Sequence, residues 1–483
     1  MWPSAGPGTV GPMSEAGTTI QPLDPGELLR RIEVLERELT RLRADNEALR
    51  AEVERLRRQQ RRQAAPFSKE RPGTTRKRPG RKAGQGHFSR RLAPPAAAGS
   101  DAATPVPVAE TACPACGGEL TDDGTAPASV TDLPARPVVE VRRYQVARRR
   151  CAACGTRVWG THPDLAPDQR GATAHRLGPR LLAAAQTLHY DHGVPVRRVP
   201  AVLADLTGAH VTQSALTHAA LRQANRAVGT VYAALRQEVA QAERVHTDDT
   251  GWRVGGKPAQ LMAFTTETAT VYQIRSRHRH EEVLEVIPAD YAGVLSTDRG
   301  RSYDAAALAS VKQQKCVAHL LRSVSEVLET KWGRGRSLGL HLRRVLRDAL
   351  ALWQAQRAGT AADFVAEAQR LQAELGEVLR ARTLPDPDNQ RLLDQLGWHH
   401  ARGNLLRFLD DPRIEPTNNR AERALRPAVI ARKVSQCSKT ETGAEAFAAF
   451  ASVARTTRQQ GGSVLDRLTA LQQPASPSPP SPR

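Results

Sequence analysis

The sequence predicts a multidomain α/β protein, and three observations carry that prediction. A chain of 483 residues is long enough for several domains. Its texture changes along its length, from a leucine heptad through a basic stretch and two cysteine pairs to a long C-terminal region. In that last region helical stretches surround a segment where strand-like and helix-like patterns alternate.

Composition narrows the classes. Apolar residues make up 40% of the chain, enough for cores. No run approaches about eighteen apolar residues, so no membrane span is expected. Residues 1–26 are rich in Gly, Pro, Ser and Thr and read as disordered; they lack the basic start and apolar core of a secretory signal. Six cysteines do not make a disulfide scaffold, and a reducing cytoplasmic setting is expected. The net charge of +20 points to a polyanionic partner, nucleic acid before membrane. Thirteen Lys or Arg and one acid, Glu70, lie between Arg57 and Arg91, so this stretch carries +12 of that charge.

Residues 27–60 read as a leucine-zipper coiled coil. Leu28, Leu35, Leu42, Leu49 and Leu56 recur every seven residues at d, and Ile32, Leu39, Asn46 and Val53 fall at a. Leu at d with β-branched residues at some a positions favours two parallel strands, and one Asn at a fixes register. The interhelical pairs Arg31–Glu36, Glu38–Arg43, Asp45–Arg50 and Glu52–Arg57 would all be opposite in sign. A homodimer follows; a single solvated amphipathic helix is the alternative. Residues 61–110 form a basic arm and linker. Arg76, Lys77, Arg78, Arg81 and Lys82 are spaced among Pro and Gly for phosphates or a minor groove, unless the arm is a plain charged linker.

Residues 111–165 hold Cys113-Pro-Ala-Cys116-Gly and Cys151-Ala-Ala-Cys154-Gly. The spacing lets two thiolates of one tight turn face one ion, and four make a closed structural Zn2+ site. A zinc ribbon with no catalytic role is expected, with strands in Val138–Ala147. Residues 175–240 read as three helices, Pro179–His189, Val196–Leu206 and Gln213–Ala224, broken at Gly193 and Gly208, with Thr212 as N-cap of the third. The last two would suit a helix-turn-helix facing DNA, or only a packed bundle.

Residues 241–333 and 411–468 form the α/β core, with a helical insertion at 334–410 and a disordered tail at 469–483. Arg244–Thr247 reads as a strand ending in Asp248 and Asp249. Leu261–Thr266 and Thr270–Arg275 are further strands, followed by a helix near His280–Ile287. The strand Gly293–Thr297 ends at Asp298, and another helix and a strand, Val311–Cys316, follow. This is the order of an RNase H-like sheet, in which the first and fourth strands are neighbours. Carboxylates at corresponding points on them would converge, and Glu422 on a later helix is the third candidate. Phosphodiester cleavage needs an activated oxygen and a stabilised leaving oxygen, which two Mg2+ ions on carboxylates supply. A turn role for the aspartates, and a capping box from Asn419 to Glu422, are the structural alternatives.

The segments HTDDTGWRV, VLSTDRGRSYD, CVAHLLR and NNRAERALRPAVIARK, in that order, resemble the catalytic blocks of a bacterial insertion-sequence transposase family, family sixty-six. The resemblance covers about 27–468 and extends to the zipper, basic arm and zinc-binding domain. It implies a DDE transposase with an RNase H-like catalytic core. Asp248, Asp298 and Glu422 would be catalytic and hold Mg2+ or Mn2+. The first block usually reads D-E-T-G-W, so Asp249 stays an alternative first ligand. The second usually reads D-G-Y, so Arg299 would put a mobile side chain near the metals. Cys316 and His319, with Val317 in place of an aromatic, would support the active site or merely pack the core. Arg423, Arg426, Arg432 and Lys433 would hold DNA phosphates, and Pro427 should kink or end their helix.

The resulting expectation is a homodimeric DNA transposase. It would bind terminal inverted repeats, cleave 3′ ends and transfer them to target DNA, with accessory proteins of the same element as further partners. A non-catalytic DNA-binding regulator or inactive remnant is one alternative. A nuclease that cuts without strand transfer is the other.

Overall fold

The computed structural model describes residues 25–62, 105–109, 111–122, 139–165, 169, 175–435 and 437–473. The chain divides into two compact units, Met1–Gly86 and His87–Arg483.

In the first unit one helix is described, α1 (Pro25–Arg62). At 1.5 Å per residue it is about 57 Å long. It starts inside the stretch read as disordered, because Pro25 in the first turn needs no N–H partner. It also takes in the first two residues of the basic arm. Ile32, Leu35, Leu39, Leu42 and Leu49 are exposed along it, and so is Asn46. Arg76, Lys77, Arg78, Arg81 and Lys82 lie outside the described residues.

The second unit opens with the cysteine module. Strands were expected in Val138–Ala147, but they are β1 (Arg148–Arg150) and β2 (Arg157–Trp159), paired antiparallel around the second cysteine turn. The turn itself closes the hairpin: Gly155, in the left-handed region at φ +71°, donates its N–H to the Cys151 carbonyl. Then come α2 (Pro179–Gln186), which runs into a π-turn at Thr187–Asp191, α3 (Val199–Thr207), α4 (Gln213–Ala224) and α5 (Ala227–Gln241). The α3 helix starts later than expected because Pro200 fits only its first turn. Gly208 ends it at φ +72°, and the Thr212 hydroxyl accepts the Ala215 N–H at 3.2 Å to cap α4.

A five-stranded sheet follows: β3 (Arg244–Val254), β4 (Lys257–Thr265), β5 (Thr270–Arg275), then α6 (His280–Leu284), β6 (Val294–Thr297) and β7 (Lys312–Lys315). Its order is β5-β4-β3-β6-β7. The first three strands are antiparallel, and β6 and β7 add in parallel beside β3. Two expectations are corrected here. β3 does not end at Thr247 but carries Asp248 and Asp249 mid-strand, because Gly255 and Gly256, at φ +56° and +81°, close a tight hairpin onto β4. The helix expected between β6 and β7 is two 3-10 turns, Arg301–Asp304 and Ala306–Leu308.

Both sheet faces are covered. Along β4, Met262 and Phe264 join a core with α5, α13 (Glu441–Gln459) and α14 (Val464–Gln472), while Leu261 and Ala263 join one with α12 (Asn419–Ser435). This is why Leu261–Phe264 of β4 is an unbroken apolar run. Between β7 and α12 the chain makes α7 (Val317–Glu329), α8 (Ser337–Arg357), α9 (Phe364–Val378), α10 (Pro387–Ala401) and α11 (Arg407–Asp410). These helices share their own core, with Leu320, Leu342, Leu371, Leu393 and Phe408 fully buried or nearly so.

Pro427 neither ends α12 nor stops its last turns, which run on to Ser435. An internal proline costs about 3 kcal/mol. Burial of Ala424, Leu425, Ala428 and Ala431 against the sheet outweighs it. Residues 469–472, expected in the tail, belong to α14, where the Gln472 side chain donates to the Gln186 side chain at 2.6 Å. Residues 474–483 lie outside the described residues.

Candidate active site

The parallel pairing of β3 with β6 sets the geometry. His246 pairs with Ser296, and two residues further along each chain stand Asp248 and Asp298. Asp248 is half-buried, and its Oδ1 accepts the Asp249 N–H at 2.9 Å. Its pKa is pushed up to about 7, by burial first and then by the negative charge of Asp298, Asp249 and Glu422. The three acids singled out in the sequence therefore share one electrostatic neighbourhood.

Asp298 is held by the turn after β6, where the Gly300 N–H donates to its Oδ1 at 2.7 Å. A Cβ at position 300 would stand 2.9 Å from that oxygen, so glycine is what lets the carboxylate fold this closely onto the turn. Arg299, expected as a mobile group near the metals, lies in the field of Asp298 and Asp304. Its guanidinium is half-buried and donates to the Ser323 hydroxyl on α7.

Glu422 lies in the first turn of α12. The helix begins at Asn419, so Asn419 is not its N-cap. The residue before it, Asn418, anchors the helix start: its side-chain N–H donates to the Thr247 carbonyl at 2.7 Å, and its backbone N–H to Cys316 Sγ at 3.2 Å. Cys316 is thus a buried acceptor that ties the end of β7 to the start of α12, and burial pushes its thiol pKa up. His319 is half-buried, and its Nδ1 is buried without a hydrogen-bond partner among the described residues.

Asp249 is engaged elsewhere. Its Oδ1 lies 3.0 Å from His278 Nδ1, and His278 Nε2 lies 3.2 Å from the Ser302 hydroxyl. Burial opposes the charged ring, but the Asp249 carboxylate and the charge of Asp298 outweigh it, and the His278 pKa is raised. The His278 ring meets Tyr303 edge-on at 5.4 Å, and the Tyr303 hydroxyl is 3.2 Å from that of Thr247. Behind Asp298, Lys315 is fully buried, with Nζ 2.8 Å from Asp304 and 3.2 Å from the Thr297 hydroxyl. Sequence reasoning missed His278, Tyr303, Lys315 and Asn418. Asn418 had a local signal, the Asn pair before the helix, and Tyr303 lay within the block of Asp298; His278 and Lys315 meet the site only through tertiary contacts.

Among the cations of α12, Arg423, Arg426 and Lys433 are exposed. Arg432 is not free: it donates to the Thr250 hydroxyl at 3.1 Å and to the Gly251 carbonyl.

The donor chemistry around Asp248 suits a hard divalent ion, since every acid there offers carboxylate oxygen and the crowding of charge is what a cation would relieve. The carboxylates do not stand as a ready ligand cage. Among the described residues no three His, Cys, Asp or Glu side chains form a group that could hold a metal ion. This applies equally to Cys113, Cys116, Cys151 and Cys154. Their two turns are nevertheless built alike, with Gly117 and Gly155 at φ +75° and +71° and the N–H of each first cysteine bound to the carbonyl five residues on. Backbone N–H groups lower the Cys113 pKa, and the Thr156 hydroxyl brings Cys154 down to about 7.

A family model described as Transposase IS66 family matches residues 175–446, more than half of the chain. The chain belongs to the IS66 transposase family. Membership makes this a transposition enzyme in general terms, in a family whose activity implies DNA as partner. The matched span of this IS66 transposase contains the whole five-stranded sheet, the insertion and α12. The α1 helix and the cysteine module lie before it. No curated protein matches the chain. No described helix is long and apolar enough to cross a membrane.

Proposed function

We propose that this protein binds the terminal inverted repeats of its element and catalyses 3′-end cleavage and strand transfer into target DNA from an RNase H-like core. Asp248, Asp298 and Glu422 would hold Mg2+ or Mn2+. The observation that carries this reading is the raised pKa of Asp248, half-buried in the field of the other two acids at the β3–β6 pairing. Bound there, the ions would activate the attacking oxygen and stabilise the leaving one.

The chain's own residues do the positioning. Asn418 and Cys316 hold the start of α12 against β3, so Glu422 enters the field of Asp248. Gly300 orients the Asp298 carboxylate. Arg423, Arg426 and Lys433 offer exposed cations for phosphates beside the acids. Outside the core, the four cysteines would hold a structural Zn2+; their turns and lowered thiol pKa values support it. The exposed leucine seam of α1 supports a parallel homodimer, which would hold two element ends together. The basic arm would add phosphate contacts, and accessory proteins of the element would be further partners.

The test is cleavage of end-labelled DNA carrying the flanking inverted repeats, with Mg2+. Wild type is expected to nick at the repeat boundary and give joined products. Asp298→Asn and Glu422→Gln should bind the DNA and leave it intact. Wild-type-like cutting by either variant would remove that residue from the assignment.

A further inference from the structure

Trp332 is 83% exposed, at the tip of the segment between α7 and α8. The segment is braced from below. Lys331 Nζ lies 2.5 Å from Asp386 and 2.8 Å from Asp388 at the start of α10. The buried side chain of Asn389 donates to the Gly335 carbonyl at 2.8 Å, and the Gly335 N–H donates to the Trp332 carbonyl at 3.1 Å. Gly333, at φ +52°, allows the bend. A large aromatic is thus held outward on a fixed support.

The surrounding charge is one-sided. Lys331 and Arg391 balance Asp386 and Asp388. Arg334 and Arg336 have no ion pair among the described residues, nor do Arg343 and Arg347. Arg336, just before α8, and Arg343 and Arg347 within it recur at seven and eleven residues, on one side of the helix, Arg347 exposed and the other two half-buried. That stripe is about 16 Å long, the length of roughly five stacked base pairs.

We infer that Trp332 and the Arg336–Arg343–Arg347 stripe form a second DNA-binding surface, on the helical insertion. Trp332 stacks on an unstacked base and the arginines hold the adjoining phosphates. The inference rests on the reading of this chain as a DNA-acting transposase. A protein partner is disfavoured: beside the stripe α8 exposes Leu340 at 41%, and a single such side chain does not make the apolar centre of a protein interface. Uncompensated guanidinium groups beside a free aromatic ring fit a polyanion whose bases expose π-faces.

The test uses the full chain and two labelled DNAs, a plain duplex and the same duplex with a central mismatch bubble. Affinity is read by fluorescence anisotropy over a salt series. Trp332→Ala should weaken bubble binding about 5- to 100-fold, the effect of losing one stacked base. Trp332→Phe should keep most of the affinity. Arg343→Ala with Arg347→Ala should weaken both DNAs and reduce the log–log salt slope by about 2. Wild-type binding of the bubble by Trp332→Ala, while wild type itself binds, would overturn the stacking role and leave the function untouched. An unchanged salt slope would overturn the arginine stripe. Failure of wild type to bind either DNA would overturn this inference and the transposase reading together. Trp332 is solvent-exposed, so its replacement does not threaten the fold.

Discussion

His278 sits between two of the motif blocks, with Asp249 on one ring nitrogen and Ser302 on the other. His278 touches none of the proposed ligands, but it holds Asp249, whose charge acts on Asp248, and removing a group that orients a metal site typically costs 10–100-fold in metal affinity. His278→Ala should therefore raise the Mg2+ concentration needed for cleavage by about that factor while DNA binding stays unchanged. His278→Asn, which keeps a donor for Asp249, should recover part of the loss. Mn2+ calorimetry gives the same comparison without turnover, and equal metal affinity in all three proteins would remove the role. Cys316 offers a second test. Cys316→Val leaves the Asn418 N–H buried without an acceptor, at a cost of about 1–3 kcal/mol in urea unfolding, and Cys316→Ser should cost less. At this scale the three acids were legible because they lie within motif blocks. His278 and Lys315 were not, since each lies outside the blocks and meets the site through contacts between distant segments, while Tyr303 sat inside a block with nothing local to mark its role.

Among the elements, α1 makes the plainest prediction. A 25–62 peptide should sediment as a dimer at tens of micromolar, and Leu35→Ala with Leu42→Ala should make it a monomer. A monomeric parent peptide would end the zipper assignment. Helices bounded by local chemistry were legible: the Thr212 cap and Gly208 stop mark α4 and α3 in the sequence as they do in the structure. The length of β3 was not, because Asp248 and Asp249 resemble a strand end until the hairpin at Gly255-Gly256 pairs them with Met262 and Ala263 on β4. For a related reason Pro427 does not end its helix. Its local penalty is real, but the burial that offsets it comes from a sheet far away in sequence.

On the scale of the molecule, the insertion and the sheet meet at His399, which is buried 3.9 Å from Asp304. Its pKa is pushed down to about 4, by burial and then by the Lys315 and Arg299 cations. In the unfolded chain the ring is protonated below about pH 6.5. The folded state binds that proton less well, so the stability from neutral His399 is full above that value. It falls as the pH drops towards about 4, by up to about 1.4 kcal/mol per pH unit, and then levels off. Thermal unfolding from pH 7.5 to 4.5 should show this loss, and His399→Gln should flatten it. An unchanged pH slope in the variant would exclude His399 as the cause.

The sulfur of Cys316 and the N–H of Asn418 lie 102 positions apart in the chain yet touch. Joining the ends of a loose loop of that length costs about 4 kcal/mol of entropy. The α7–α11 helices remove much of that cost by collapsing on a core of their own, which brings the strand end and the helix start together. Glu422 is therefore the last acid to arrive. On the proposed reading, a partly made chain holds Asp248 and Asp298 without the third carboxylate, and the capacity to cut DNA would be absent until the start of α12 has docked on β3.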